Sequence, residues 1–180
     1  IYAEDCKYVT IILAGGSQNY LADSNTNGEN GAIRVRSCNL TMGGKGSLTI
    51  KANKKHGISN TKELTINGGS YNITSVGHGI YGKQKITING GKYSIYSARS
   101  AFKSGDNEVG NEYIGSITVN SASIYAKCNT NGFNSYGTVD IINGKITVYA
   151  DGKGINVMPA PIGVRAFKLV EEISDFFDKN

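Results

Sequence analysis

The chain repeats itself, and that repetition limits what it can fold into. An apolar residue preceded by Gly, or by Ala at position 101, stands at Ile58, Ile80, Phe102, Phe133 and Ile155, with spacings of 22, 22, 31 and 22 residues. A second register runs Leu40, Leu64, Ile86, Ile117 and Val139, with spacings of 24, 22, 31 and 22. Both registers place the long step at one polar insertion, residues 105–112. A fixed period of this length is the signature of a stacked-repeat architecture.

Within each unit the apolar residues alternate with polar ones. KELTINGGSYNITS at 62–75, KITINGGKYSIYS at 85–97 and GTVDIINGKITVYA at 137–150 are the clearest copies. SITVNSASIYAK at 116–127 is shorter, and NLTMGGKGSLTIKA at 39–52 is divergent. A period of two marks half-buried strands, and Gly-Gly or Asn-Gly supplies the tight turn between them. Three short strands in so few residues bury no face alone. Stacked on the next copy, each pairs in parallel with its counterpart about 4.8 Å away. The spacing predicts inward columns Leu40/Leu64/Ile86/Ile117/Val139, Met42/Ile66/Ile88/Val119/Ile141 and Ile50/Ile73/Ile95/Ile124/Val148. The expected fold is an all-β, single-stranded parallel β-helix of five or six coils, right-handed by the crossover rule for parallel strands.

Open coil ends expose strand edges and need cover. Residues 166–177, AFKLVEEISDFF, carry helical periodicity after Pro159 and Pro161. They are read as an amphipathic helix capping the last coil. The chain therefore divides into a β-helix at 1–156 and a linker with capping helix at 157–180. Residues 8–21 form the expected first coil and 22–31 a polar loop.

Composition excludes several classes. Gly is 24 and Pro 2, which removes collagen and proline-rich linkers. No apolar run approaches about 18 residues, so no helical membrane span is expected. The chain opens at Ile1 without a signal-peptide pattern, which we take as a processed mature form. The net charge of +5 is spread over scattered lysines, with one cluster at Lys51, Lys54 and Lys55, which argues against a nucleic-acid arm. Cys6 and Cys38 fall near the same corner of successive coils, a candidate disulfide for a secreted protein, which leaves Cys128 free.

Stacking also sets the outward files. Thr41, Thr65, Thr87 and Thr118, continued by Asp140, suit a sheet surface. Tyr96, Tyr125 and Tyr149 are assigned to one file continued by Thr74 and Lys51, a flat aromatic strip on which sugar rings can stack. Asn67, Asn89 and Asn120 make a structural ladder at a turn. His56 and His78 stand one coil apart and read as a solvated polar turn, with a weak transition-metal site or a pH response as the lesser alternatives. Asp106, Asn107, Glu108 and Glu112 put oxygen ligands on one loop, as calcium prefers. Arg99 and Lys103 beside Asp106 offer the only arrangement from which an elimination mechanism can be built. No Ser-His-Asp order, HExxH or phosphate-binding loop is present.

The run GKGSLTIKANKKHGISNTKELTINGGSYNITSVGHGIYGKQKITINGGKYSI, with LAGGSQNYLADSN before it, resembles the bacterial carbohydrate-binding domain-containing proteins over residues 9–156. The resemblance implies an extracellular right-handed β-helix, shaped like a pectate lyase. It also implies binding of plant-wall polysaccharides such as cellulose or polygalacturonate, with calcium and without catalysis. Where the family's repeat carries Asp, this chain has His56, His78, Ser100, Asn131 and Lys153. Asp106 and Asp151 are the nearest carboxylates left for a metal. The expectation is thus a secreted, non-enzymatic polysaccharide-binding module using Tyr96, Tyr125, Tyr149, Lys51 and Thr74. The alternatives are a filament subunit or adhesin assembled through its β-helix ends, and a polyuronate lyase.

Overall fold

The computed structural model describes residues 1–26, 28–106 and 114–158 in full, and the backbone of 167–169. The chain winds through three parallel sheets, returning to each after every third strand. The first sheet has seven strands: Tyr2–Glu4, Gly31–Arg36, His56–Asn60, Ile80–Gly82, Phe102–Ser104, Phe133–Ser135 and Ile155–Val157. The second also has seven: Tyr8–Leu13, Asn39–Gly44, Glu63–Ile66, Lys85–Ile88, Ser116–Val119, Thr138–Ile141 and Phe167–Leu169. The third has six: Gln18–Ala22, Ser47–Ala52, Ser70–Ser75, Lys92–Ser97, Ser123–Cys128 and Lys145–Ala150. No α-helix occurs among the described residues, and so no helix there that could cross a membrane. This is the all-β topology of a solenoid of the β-helix type.

Register explains why the sequence folds this way. Leu40 pairs with Leu64, Leu64 with Ile86, Ile86 with Ile117 and Ile117 with Val139. The Met42-to-Ile141 column and the Ile58-to-Ile155 column hold equally. Leu64, Ile66, Ile86, Ile88 and Ile117 are wholly buried, while the residues between them reach the surface. The Phe102 and Phe133 rings stack within the core at 4.9 Å with 5° between planes. Tyr71 and Tyr93 stack in the same way at 5.3 Å. Their hydroxyls donate to the Gly68 and Gly90 carbonyls at 3.0 and 2.8 Å, which satisfies the polar end of each buried ring.

The turns carry their own ladder. Asn89 Nδ2 donates to Asn67 Oδ1 at 2.8 Å, and Asn120 Nδ2 to Asn89 Oδ1 at 2.6 Å. Gly91 sits at φ 108°, a region closed to most side chains. Gly79 has a different reason. A Cβ there would lie 2.5 Å from Ile95 Cγ2 and 2.8 Å from the Ala101 carbonyl oxygen, so only Gly lets that corner pack against the next coil.

Two expectations need correction. Phe167–Leu169 is a strand paired with Thr138–Ile141, not part of a helix, because its backbone continues the second sheet. The rest of 166–177, with Pro159 and Pro161, lies outside the described residues. In the third sheet Ile50, Ile73 and Ile95 are followed by Ala126 and Val148. Ile124 instead stacks in the column Leu48/Tyr71/Tyr93/Ile124/Ile146. The displacement is two residues, which keeps each side chain on its own face of the sheet.

Candidate functional site: an aromatic trough and a basic groove

The outer face of the third sheet carries two neighbouring files. One runs Lys51, Thr74, Tyr96, Lys127, Tyr149. The other runs Tyr20, Thr49, Asn72, Ser94, Tyr125, Thr147. Tyr125 therefore does not stand between Tyr96 and Tyr149 in their file; Lys127 does. The three rings still meet across the two files. Tyr96 and Tyr125 have centroids 6.1 Å apart, Tyr125 and Tyr149 5.8 Å, with planes tilted by 53° and 57°. They are 43%, 40% and 58% exposed, so the contact makes a continuous zigzag of aromatic surface.

Beside it lies a shallow trough of about 550 Å³ that crosses five strands, lined by Ser47, Asn72, Ser94, Tyr125 and Thr147 among others. Five strands span roughly 19 Å along the axis. Ser, Thr and Asn share the lining with Lys92, Lys145, Leu48, Ile124 and the rings of Tyr71, Tyr93 and Tyr125. Lys51 and Thr74 share the Tyr96 file at its far end from Tyr149. Tyr20, exposed at 67%, shares the Tyr125 file and was missed in the sequence; the register of Gln18–Ala22 on Ser47–Ala52 was the signal for it.

A second concavity, of about 270 Å³, lies on the first sheet. Its centre is the outward file Arg34, Ser59, Tyr81, continued by Lys103. His56 and His78 flank that file with rings stacked at 5.1 Å. The pair is not a fully solvated turn: His56 is only 6% exposed and His78 is half-buried. The Nδ1 of His56 accepts the His78 backbone N–H at 3.0 Å, and the Nδ1 of His78 accepts that of Ser100 at 3.1 Å. Asn131 Oδ1 does the same for the Lys153 N–H at 2.9 Å. Side chains at this corner thus act as acceptors that tie one coil to the next. Burial, helped for His56 by His78 and Lys55 and for His78 by Lys103, lowers the pair to about 3 and about 4, so both rings are neutral at physiological pH.

Lys103, read in the sequence as a base beside Asp106, is 7% exposed and holds its Nζ 3.7 Å from the centroid of the Tyr136 ring. Burial lowers it to about 8. Asp106 is engaged by Lys83 at 3.8 Å and by the Tyr81 hydroxyl. Asn107 and Glu108 lie outside the described residues, as does Glu112. Asp106 follows a first-sheet strand and Asp151 a third-sheet strand, so the coil places them at different corners. Among the described residues no three His, Cys, Asp or Glu side chains come together to hold a metal. At the N-terminal end Cys6 and Cys38 are bonded, with Cα atoms 5.2 Å apart, and Cys128 is a buried free thiol.

The three stacked parallel sheets define the class: a β-solenoid built from repeats, with an aromatic trough and a basic groove on its outer faces. The chain belongs to the carbohydrate-binding domain-containing protein family, whose model matches residues 1–170. That span exceeds the 9–156 stretch that carries the resemblance in the sequence. Among solved structures, the chain is similar to a gadolinium derivative of a polysaccharide lyase-like protein from C. thermocellum. The two share 26% identity with a TM-score of 0.81, over 93% of this chain and 68% of that one. No curated protein matches the chain.

Proposed function

We propose that this protein is an extracellular, non-catalytic module that lays a polysaccharide chain along its third sheet, on a right-handed rod of about six coils. The observation that carries this is the contact of Tyr96, Tyr125 and Tyr149, exposed side by side along a trough that crosses five strands. Pyranose rings have apolar C–H faces that stack on aromatic rings, and their hydroxyls suit a floor of Ser, Thr and Asn. Many modest contacts repeated along a rod favour a polymer over a small sugar. Cellulose and polygalacturonate are the candidate ligands of the module as a whole, the trough taking the neutral faces of their sugar rings. Family membership and the lyase-like neighbour support a glycan partner.

The family description supports the non-catalytic reading. Of the two basic side chains offered for elimination, Lys103 is covered by Tyr136, while Arg99 lines the first-sheet groove. The Cys6–Cys38 disulfide supports an oxidising, extracellular location. Replacing Tyr96, Tyr125 and Tyr149 together by Ala should abolish retention on insoluble cellulose while the thermal unfolding midpoint stays near that of the parent. Unchanged retention in a folded variant removes the trough as the binding face.

A further inference from the structure

We propose that the first-sheet groove is a second, separate site that holds an anionic sugar group, a uronate carboxylate or a sulfate ester, by direct ion pairing without a bridging metal. Its ligand being a glycan rests on the function proposed above; its location and charge do not.

The case is one of uncompensated charge. Arg34, Lys55, Lys83 and Arg99 all line this groove. Asp106 is the one carboxylate lining it among the described residues, and it is committed to Lys83 and the Tyr81 hydroxyl. Glu29 lies 3.8 Å from Arg34, whose Nη1 is also spent on Ser59 Oγ at 2.7 Å. Counting both carboxylates still leaves two cations over. These are Lys55 and Arg99, neither of which has an ion-pair partner among the described residues.

Geometry gives the surplus a direction. The Arg99 N–H donates to the Gly77 carbonyl at 3.1 Å, and a Cβ on Gly77 would sit 2.5 Å from the Lys55 carbonyl oxygen. Lys55, Gly77 and Arg99 therefore occupy one corner file. The Cα atoms of Lys55 and Arg99 stand roughly 10 Å apart along the rod, with a residue lacking a side chain between them. His56 and His78 form the wall beside this gap. Because each Nδ1 accepts a backbone N–H, the proton of each neutral ring is on Nε2, so the rings add N–H donors. Arg34 Nε is buried in the wall and faces Glu29 Oε2 at 3.8 Å, so it is not counted among the free donors. A groove rich in donors and poor in acceptors selects an anion. Two cations aligned with the axis can meet successive acidic groups of a polymer lying along it.

The test uses the full chain in isothermal titration calorimetry with EDTA present throughout. The probes are polygalacturonate oligomers, their methyl-esterified counterparts and sulfated dextran. Acidic polymer should bind without divalent metal, weaken as salt is raised, and lose to the neutral ester. The probe bound more tightly, carboxylate or sulfate, identifies the anionic group. The K55Q/R99Q variant should bind that polymer about tenfold more weakly, and K55E/R99E more weakly again. Both should keep the parent's unfolding midpoint and its retention on cellulose. The proposal is overturned if EDTA abolishes binding, if the ester binds as well as the acid, or if K55Q/R99Q binds the acid as the parent does. Loss of cellulose retention in K55Q/R99Q would also overturn it, by merging the two sites. Loss of cellulose retention in the tyrosine variant alone tests the trough and leaves the groove standing.

Discussion

The stacked histidines should make this fold lose stability in mild acid, where most carboxylates are still ionised. Folded, burial holds His56 at about 3 and His78 at about 4, against an ordinary value of 6.5 for histidine. The unfolded chain therefore takes up two protons as pH falls through 6.5, while the folded chain takes up neither until far lower. Stability is full above about pH 7 and falls with pH from there down toward the folded values. From about pH 7.5 to about pH 5 each ring costs roughly 2 kcal/mol, about 4 kcal/mol for the pair. For a chain of this size that is a drop of roughly 10 °C in the thermal midpoint. The structural reason is specific. Protonating Nδ1 would orphan the backbone N–H of His78 or Ser100 and place two cations 5.1 Å apart. The assay is thermal unfolding by circular dichroism across this range, for the parent and for H56N/H78N. Asn can accept the same N–H, as Asn131 does for Lys153, and does not titrate. The double variant should be nearly flat where the parent falls. A flat parent, or a variant with the parent's slope, refutes the reasoning.

Two further outcomes test the scaffold. Reduction of Cys6–Cys38, which closes a loop with a sequence separation of 32, should lower stability by about 3.5 kcal/mol, read as the shift in urea midpoint with and without reductant; no shift would mean that strand pairing alone fixes the first coil. Phe102→Ala removes a wholly buried ring from its stack on Phe133 and should cost about 3–5 kcal/mol, measured the same way; a cost below about 1 kcal/mol would show that neighbouring coils relax into the space.

Most of the scaffold was legible because inward columns need only a constant step and an apolar residue. In the first and second sheets the columns Ile58 to Ile155, Leu40 to Val139 and Met42 to Ile141 followed from the 22-, 24- and 31-residue spacings. The third was misread at one place for an instructive reason. Ile95-Tyr96 and Ile124-Tyr125 are identical dipeptides, and matching them moved the strand by two residues. A shift of two preserves which side chains face inward, so hydrophobic alternation could not object. The step of 31 could have: added to Tyr96 it gives Lys127. The C-terminal periodicity failed differently. Three residues of the expected helix are a strand because the second sheet had an open edge at Thr138–Ile141, and pairing there satisfies backbone groups that a local pattern does not see. The groove was harder to read than the trough. Its cations come from different positions in the repeat, Arg34 within a strand, Lys83 after one, and Lys55 and Arg99 at a corner. Only the lateral packing of coils gathers them.

The winding that stacks like on like also keeps the two candidate sites independent. Each sheet faces its own direction, and each outward file repeats one coil rise at a time, so a face can change its chemistry without disturbing the columns behind it. Tyr93 shows how narrow the separation is. Its ring packs inward on Tyr71 and edge-on against Phe102, while the next outward residues, Ser94 and Tyr96, lie on the outer face of the third sheet. The first sheet follows the same rule, with Ile80 buried and Tyr81 in the groove wall. A ligand bound to one face therefore has no shared side chain through which to alter the other. Under the two proposals this independence has a use: neutral stretches of a mixed polymer would engage the tyrosines and acidic stretches the cations, and the two modest affinities would multiply when one chain touched both.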